Sequence, residues 1–272
     1  MLSAVTRAFR RSSVASAYPF LKLETLGETP ALEVTARRPE FIARRPSHLA
    51  RLLGGLFWRL TSDWRDAMGF YARRVLPHII NMAMKNKDAT RLREAWVPKA
   101  RGEVLEVGIG SGLNLPFYSS QVQRVVGVEP SPALQEMARR REAAGHTKID
   151  FLSQSAEEPL PLPDQSIDTI VMTWTLCSIP NAPKALAQMK RVLKPDGRLL
   201  FIEHGRAPDP GIVVWQDRLA PIWKRIGGGC HLNRKIDDLI AAAGFAIGDL
   251  KTCYLPGPRP MTYTYQGFAR PG

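Results

Sequence analysis

The residues best suited to chemistry lie in Glu103-Val-Leu-Glu-Val-Gly-Ile-Gly-Ser-Gly-Leu-Asn114. An apolar run enters three alternating glycines, Gly108, Gly110 and Gly112. Glycine suits such a loop because the chain must bend tightly and let a ligand approach the backbone. The free N–H groups favour a negative group on the ligand. Glu129 closes the next apolar run, where a carboxylate can accept both hydroxyls of a ribose. Two ligand classes fit a glycine loop plus an acid. A dinucleotide site requires G-x-G-x-x-G, but Leu113 stands where the third glycine would be. Glu106, two residues before the first glycine, would repel a pyrophosphate and attract an ammonium group. The balance points to S-adenosylmethionine, which carries a ribose and an α-amino group and no phosphate.

Transfer of a methyl from a sulfonium is an in-line displacement that positioning and exclusion of water can drive. It needs no metal. A base helps when the acceptor must lose a proton, and a thiol with a pKa near ~8.5 needs only modest help. His204 is the candidate base, because an imidazole titrates near neutral pH. Its alternative role is to orient a loop. Thr173 to Cys177 should face the methionine part of the cofactor, and Glu203 with His204 should face the acceptor, since ligands lie beyond the carboxyl ends of strands. Cys177 reads as a pocket wall or an inert buried thiol. Cys230-His231 lacks third and fourth ligands nearby in the chain, so no metal is expected. Tyr71 reads as a cover for the cofactor or as a core aromatic. An apolar stripe with Val213, Val214, Trp215, Leu219, Ile222, Trp223 and Ile226 suits a lid over a lipophilic or small apolar acceptor, or a helix that packs on its own sheet.

Elements must place these groups. Short strands are expected at Glu103–Val107, Val125–Val128, Asp150–Leu152, Thr169–Trp174 and Leu199–Glu203, with late strands at Phe245–Cys253 and Thr262–Ala269. Helices are expected from Ser62-Asp63 onward with a kink or restart at Pro77, and over Asp88–Trp96, Pro132–Ala144, Pro183–Leu193 and Lys235–Ala243. Strands alternating with helices give a parallel sheet covered on both faces. The fold class is therefore α/β, a doubly wound, mostly parallel Rossmann-like sheet of seven strands. The last two strands lack a helix between them and should form an antiparallel hairpin at one edge.

The same segments resemble the class I S-adenosylmethionine-dependent methyltransferases over about residues 65 to 270. Glu106, Gly108, Gly110, Gly112 and Glu129 match that family's E-x-G-x-G-x-G and ribose-acid positions. Gln154-Ser-Ala-Glu-Glu-Pro-Leu-Pro-Leu-Pro-Asp164 resembles its adenine-wrapping motif. There Ala156 and Glu157 match, and Ser155 stands in place of the usual acid. Thr173 closes the fourth strand. The resemblance implies that these residues, with Ser155, line the cofactor site. A narrower resemblance, to the alkyl thiol methyltransferases and their bacterial relatives, rests on Thr175-Leu-Cys-Ser178, Phe201-Ile-Glu-His204 and Gly229-Cys-His-Leu-Asn-Arg234. It implies a thiol acceptor, with phospholipid amine and quinone-ring carbon as neighbouring alternatives.

The chain has 272 residues and a formal net charge of +13. Residues 1 to 60 hold ten Lys and Arg against four acids, so nearly half the excess lies in under a quarter of the chain. That segment reads as a basic extension, and residues 61 to 272 as the methyltransferase domain. The acid-free first 23 residues resemble a mitochondrial transit peptide in composition, the alternative to a cytoplasmic placement. A basic amphipathic stretch over 49 to 60 suits peripheral contact with a membrane surface or, more commonly for such a stripe, docking on its own domain. No apolar run reaches the ~18 residues that argue for a membrane span. Three cysteines at 177, 230 and 253 do not make a disulfide framework, and a reducing compartment fits them. A nucleic-acid methyltransferase would use the positive charge, but the chain has Thr173-Trp174-Thr175-Leu176 where an Asn/Asp-Pro-Pro-Tyr/Phe motif would stand. A cofactor-binding protein without turnover and a dehydrogenase are the other rivals.

Overall fold

A computed structural model describes residues 69–143 and 148–272. The basic extension, the start of the first expected helix and the stretch 49 to 60 lie outside these residues. The strands are β1 (Gly102–Val107), β2 (Val122–Val128), β3 (Ile149–Leu152), β4 (Ile167–Thr173), β5 (Leu193–His204), β6 (Phe245–Tyr254) and β7 (Tyr263–Pro271). They form one sheet in the order β3-β2-β1-β4-β5-β7-β6. The first five are parallel, while β7 runs antiparallel to both β5 and β6. The expected sheet and its terminal hairpin are both present. β2 and β5 begin earlier than their most apolar segments suggest. Arg124 still pairs with Glu103 in the ladder at an exposed end, while Gln123 falls at a bulge.

The helices are α1 (Leu76–Ala83), α2 (Lys87–Trp96), α3 (Pro132–Glu142), α4 (Ala182–Val192), α5 (Pro210–Ile226) and α6 (Ile236–Ala242). Asn86, Ser131 and Asn181 cap α2, α3 and α4 by accepting backbone N–H groups. Pro77, Pro132, Pro183 and Pro210 sit in the first turns of their helices, where no N–H donor is needed. A π-helical turn, Tyr71–Val75, precedes α1, so the chain does restart its helix beside Pro77. Between β1 and β2 the chain makes one 3₁₀ turn, Leu115–Phe117, and no α-helix.

Alternate strand residues serve two cores. Val104, Val125, Val171 and Leu200 pack on one face of the sheet. Leu105, Val126, Ile170, Met172 and Phe201 pack on the other, against α4 and α6. Burial on both faces fixes the register, because a one-residue slip would swap the faces. The sheet therefore holds the carboxyl ends of β1, β2, β4 and β5 in fixed relation. Among the described residues no helix is long and apolar enough to cross a membrane.

Candidate active site

The glycine loop leaves the carboxyl end of β1 with Gly108, Gly110 and Gly112 at φ of 68°, 56° and 77°. L-residues with side chains rarely occupy that region. A Cβ on Gly108 would collide with the side chain of Thr175, and one on Gly112 would lie 2.9 Å from Leu115 Cδ1 and 3.1 Å from Ala138 Cα. Space at Gly110 is open, so there the need for glycine is conformational.

Glu129 sits at the end of β2 and is buried. Its Oε2 accepts the Gly110 N–H at 3.1 Å and its Oε1 accepts the Ser131 N–H at 2.8 Å. Burial pushes its carboxyl up, and the two N–H bonds hold it down. The acid and the loop are thus hydrogen-bonded into one rim, as the pairing of Glu129 with the glycines requires.

Glu106 lies inside β1 at 1% exposure. Asn114 Nδ2 donates to its Oε1 at 2.8 Å and Tyr118 Oη to its Oε2 at 2.7 Å. Asn114 also donates to Thr173 Oγ1 at 3.0 Å and accepts from Arg93 Nε at 3.1 Å. Burial raises the Glu106 carboxyl to about 7, against the opposing pull of Tyr118, Asn114 and the Arg93 charge. The same burial lowers Arg93 to about 10. Asn114, Tyr118 and Arg93 carried no role in the sequence reading. Only the fold shows that one side chain from the loop spans Glu106 on β1 and Thr173 on β4.

The sequence also gave no role to Asn81. On α1, its Oδ1 accepts from Ser111 Oγ at 2.9 Å and from Arg141 Nη2 at 2.9 Å. Arg141 on α3 also bonds the Ser111 carbonyl. These contacts tie the N-terminal helix to the glycine loop. Tyr71 donates to the Ile226 carbonyl at 2.8 Å, so it links that helix to the end of α5.

Ser155, Ala156 and Glu157 form the turn after β3. The Glu157 N–H bonds Ser155 Oγ at 3.3 Å, and Ser155 Oγ donates to Glu157 Oε2 at 3.1 Å. Glu157 Oε1 accepts the Asn181 N–H at 2.6 Å. Ala156 packs into the core.

On the acceptor side one expectation is corrected. Glu203 does not face the acceptor. It is fully buried, and its carboxylate accepts the N–H groups of Thr175, Leu176 and Cys177 at 2.8, 3.0 and 3.3 Å. The turn is set by Trp174, whose φ is 51° and whose N–H bonds the Ile202 carbonyl. Burial raises the Glu203 carboxyl to about 7, with three N–H groups acting against it. His204, one residue on, is also buried, and its Nδ1 lies 3.6 Å from Cys230 Sγ. The neighbour of Cys230 in sequence, His231, turns instead to the Cys177 carbonyl. Distant residues in the chain, Cys177, His204 and Cys230, are brought together.

A methyltransferase domain family model matches residues 105–201. Human thiol S-methyltransferase TMT1A is 30% identical over 206 residues, 72% of this chain and 83% of that protein. Human thiol S-methyltransferase TMT1B is 36% identical over 197 residues, 70% of this chain and 78% of that protein. The chain belongs to the class I S-adenosylmethionine-dependent methyltransferases. A SAM-dependent methyltransferase structure from Methanosarcina mazei shares the fold, with a TM-score of 0.52 at 21% identity over 62% of this chain and 92% of that one. S-adenosylmethionine is the cofactor of this methyltransferase. The narrower resemblance, to the alkyl thiol branch, is borne out by the two human relatives.

Proposed function

We propose that the enzyme transfers the methyl of S-adenosylmethionine to a small or lipophilic thiol. The observation that carries this reading is the setting of the acceptor side. The turn leaving α5 delivers Cys230 to Cys177 and His204 at the ends of β4 and β5. Along α5 itself, Val214, Trp215, Ile222 and Ile226 remain exposed. An exposed apolar helix that leads into the turn carrying Cys230 suits a lipophilic thiol better than a charged or polymeric acceptor. The similarity to two thiol S-methyltransferases supports the same choice.

In this reading Glu129 accepts the ribose hydroxyls and the Gly108–Gly112 loop lets the cofactor approach the backbone. Glu106 faces the amino group through its Asn114 and Tyr118 network, and Thr173 closes that side. The Ser155–Glu157 turn borders the adenine by its backbone, since the Ser155 and Glu157 side chains are engaged with each other. Catalysis is chiefly positioning. His204 acts on the acceptor's proton within the cluster of Cys177 and Cys230, because its ring is buried against them.

A phospholipid amine is the second reading. Arg218, Lys224 and Arg225 flank the exposed apolar residues of α5, an arrangement that suits an anionic, lipid-bearing surface and peripheral membrane contact. The division into a basic extension at 1–60 and an enzymatic domain at 61–272 rests on the charge distribution, and a cytoplasmic placement on the few scattered cysteines, with a mitochondrial one as the alternative. A methyl-transfer screen with labelled cofactor across small thiols, phosphatidylethanolamine, a quinol precursor and RNA tests the acceptor.

A further inference from the structure

Three potential ligand atoms, one each from Cys177, His204 and Cys230, lie within 4.8 Å of one another. They come from three separate segments: the turn after β4, the end of β5 and the turn after α5. The chain places Cys177 and His204 by a rigid device. The Glu203 carboxylate takes the Cys177 N–H while its own main chain leads into His204. Cys230 is placed by the Gly227 carbonyl, and the following residue, His231, donates its N–H to the Cys177 carbonyl at 2.8 Å.

We propose that Cys177, His204 and Cys230 bind one thiophilic divalent cation, zinc or a metal of similar preference. The donor set is two sulfurs and one imidazole, which suits a borderline-soft ion. In a tetrahedral zinc site, with Zn–S of about 2.3 Å and Zn–N of about 2.0 Å, neighbouring ligand atoms sit roughly 3.5–3.8 Å apart. The Cys230 Sγ to His204 Nδ1 separation of 3.6 Å already meets that. The remaining separations, within 4.8 Å, must close by at most about 1 Å. His204 is 6% exposed, its Nδ1 meets Cys230 Sγ, and its Nε2 has no hydrogen-bond partner among the described residues.

Charge supports the same site. Two thiolates would neutralise a dication. Arg234 stands close by, bonded to the Ile179 and Pro180 carbonyls and in the field of Cys177, Cys230 and Glu203, so it offsets the remaining carboxylate.

Three protein ligands leave a fourth position, the arrangement of zinc sites that bind a substrate. Where the acceptor is a thiol, which rests on the reading above, a bound cation would hold its sulfur as a thiolate at that position; the S–H proton would pass to solvent, and His204 would serve as a ligand in place of the base. That thiolate sulfur would attack the sulfonium methyl. The bond from methyl to the cofactor's sulfur breaks, giving a thioether and S-adenosylhomocysteine with no change in redox state.

The site is tested on the full chain, purified without a histidine tag and kept under reductant. Bound metal is counted by mass spectrometry, and cobalt is added to the metal-depleted protein while the sulfur-to-cobalt charge-transfer band is followed. We expect about one metal per chain and a cobalt band, both lost in Cys230→Ser and His204→Ala and both kept in Cys253→Ser. Cys253, on β6, bonds Gln266 rather than the cluster and serves as the control. A folded wild-type protein that takes up neither zinc nor cobalt would overturn the site, as would a band that survives Cys230→Ser. So would a Cys177–Cys230 disulfide found under these conditions. Because metal content is read without turnover, a metal-bound protein that fails to methylate thiols would leave the site standing and overturn only the acceptor.

Discussion

Asn114 donates to Glu106 at 2.8 Å and so fastens the carboxylate of β1 to the turn that follows the glycine loop. The bond holds a buried acid in place while burial keeps its carboxyl near 7. A cationic amino group favours the ionised form, so cofactor binding should release a proton. Affinity for S-adenosylmethionine is predicted to fall roughly tenfold from pH 8 to pH 6, as a group titrating near 7 requires. Calorimetry over that range checks this. The slope should disappear in Glu106→Gln, and a flat profile in the wild type would remove the charge role.

The sign for stability is opposite. A carboxyl whose folded value of about 7 exceeds its ordinary value of 4.5 binds more protons when folded than when unfolded. Its contribution is therefore present at low pH and lost as pH rises through that window. Without cofactor, the denaturation midpoint of Glu106→Gln should change less between pH 5 and 8 than that of the wild type, an effect read by urea titration at each pH.

Tyr118 should tune that midpoint. Its hydroxyl bonds Glu106 Oε2 and favours the charged form. In Tyr118→Phe the carboxyl should titrate higher, so the pH dependence of cofactor binding should move upward. An unmoved midpoint would show that the hydroxyl does not serve the carboxylate.

Glu129 binds loop and ligand at once. Glu129→Ala removes the acceptor of the Gly110 N–H and, in the proposed site, of the ribose hydroxyls. Losing charged hydrogen bonds of about 1.5–3 kcal/mol should weaken cofactor binding by roughly 10- to 100-fold. Binding by adenosine should weaken alongside that of the whole cofactor. If only the whole cofactor were affected, Glu129 would not be the ribose acceptor.

Trp215 is exposed on α5. Trp215→Ala is predicted to raise KM for a lipophilic acceptor several-fold while leaving the cofactor Kd unchanged. A changed Kd with an unchanged KM would place this helix elsewhere in function.

Much of this arrangement is legible in the sequence, for physical reasons. Alternating Gly108, Gly110 and Gly112 after an apolar run reflect backbone geometry that few other residues adopt, so local spacing reveals it. Paired strands and capped helices are local too. What escapes is contact between distant segments. Glu203 looks outward on a strand end, yet three N–H groups of the turn after β4 hold it inward. Cys230 looks paired with His231, yet its partner lies 26 residues back at His204. Adjacent side chains in an irregular turn point apart, and only the sheet decides which strand end each one meets.

The acceptor is tested most directly by following a labelled methyl group from S-adenosylmethionine in one reaction that offers a small lipophilic thiol and phosphatidylethanolamine together. Label recovered as a thioether, saturable in the thiol, is the predicted result. Label in the phospholipid amine with the thiol untouched would contradict it.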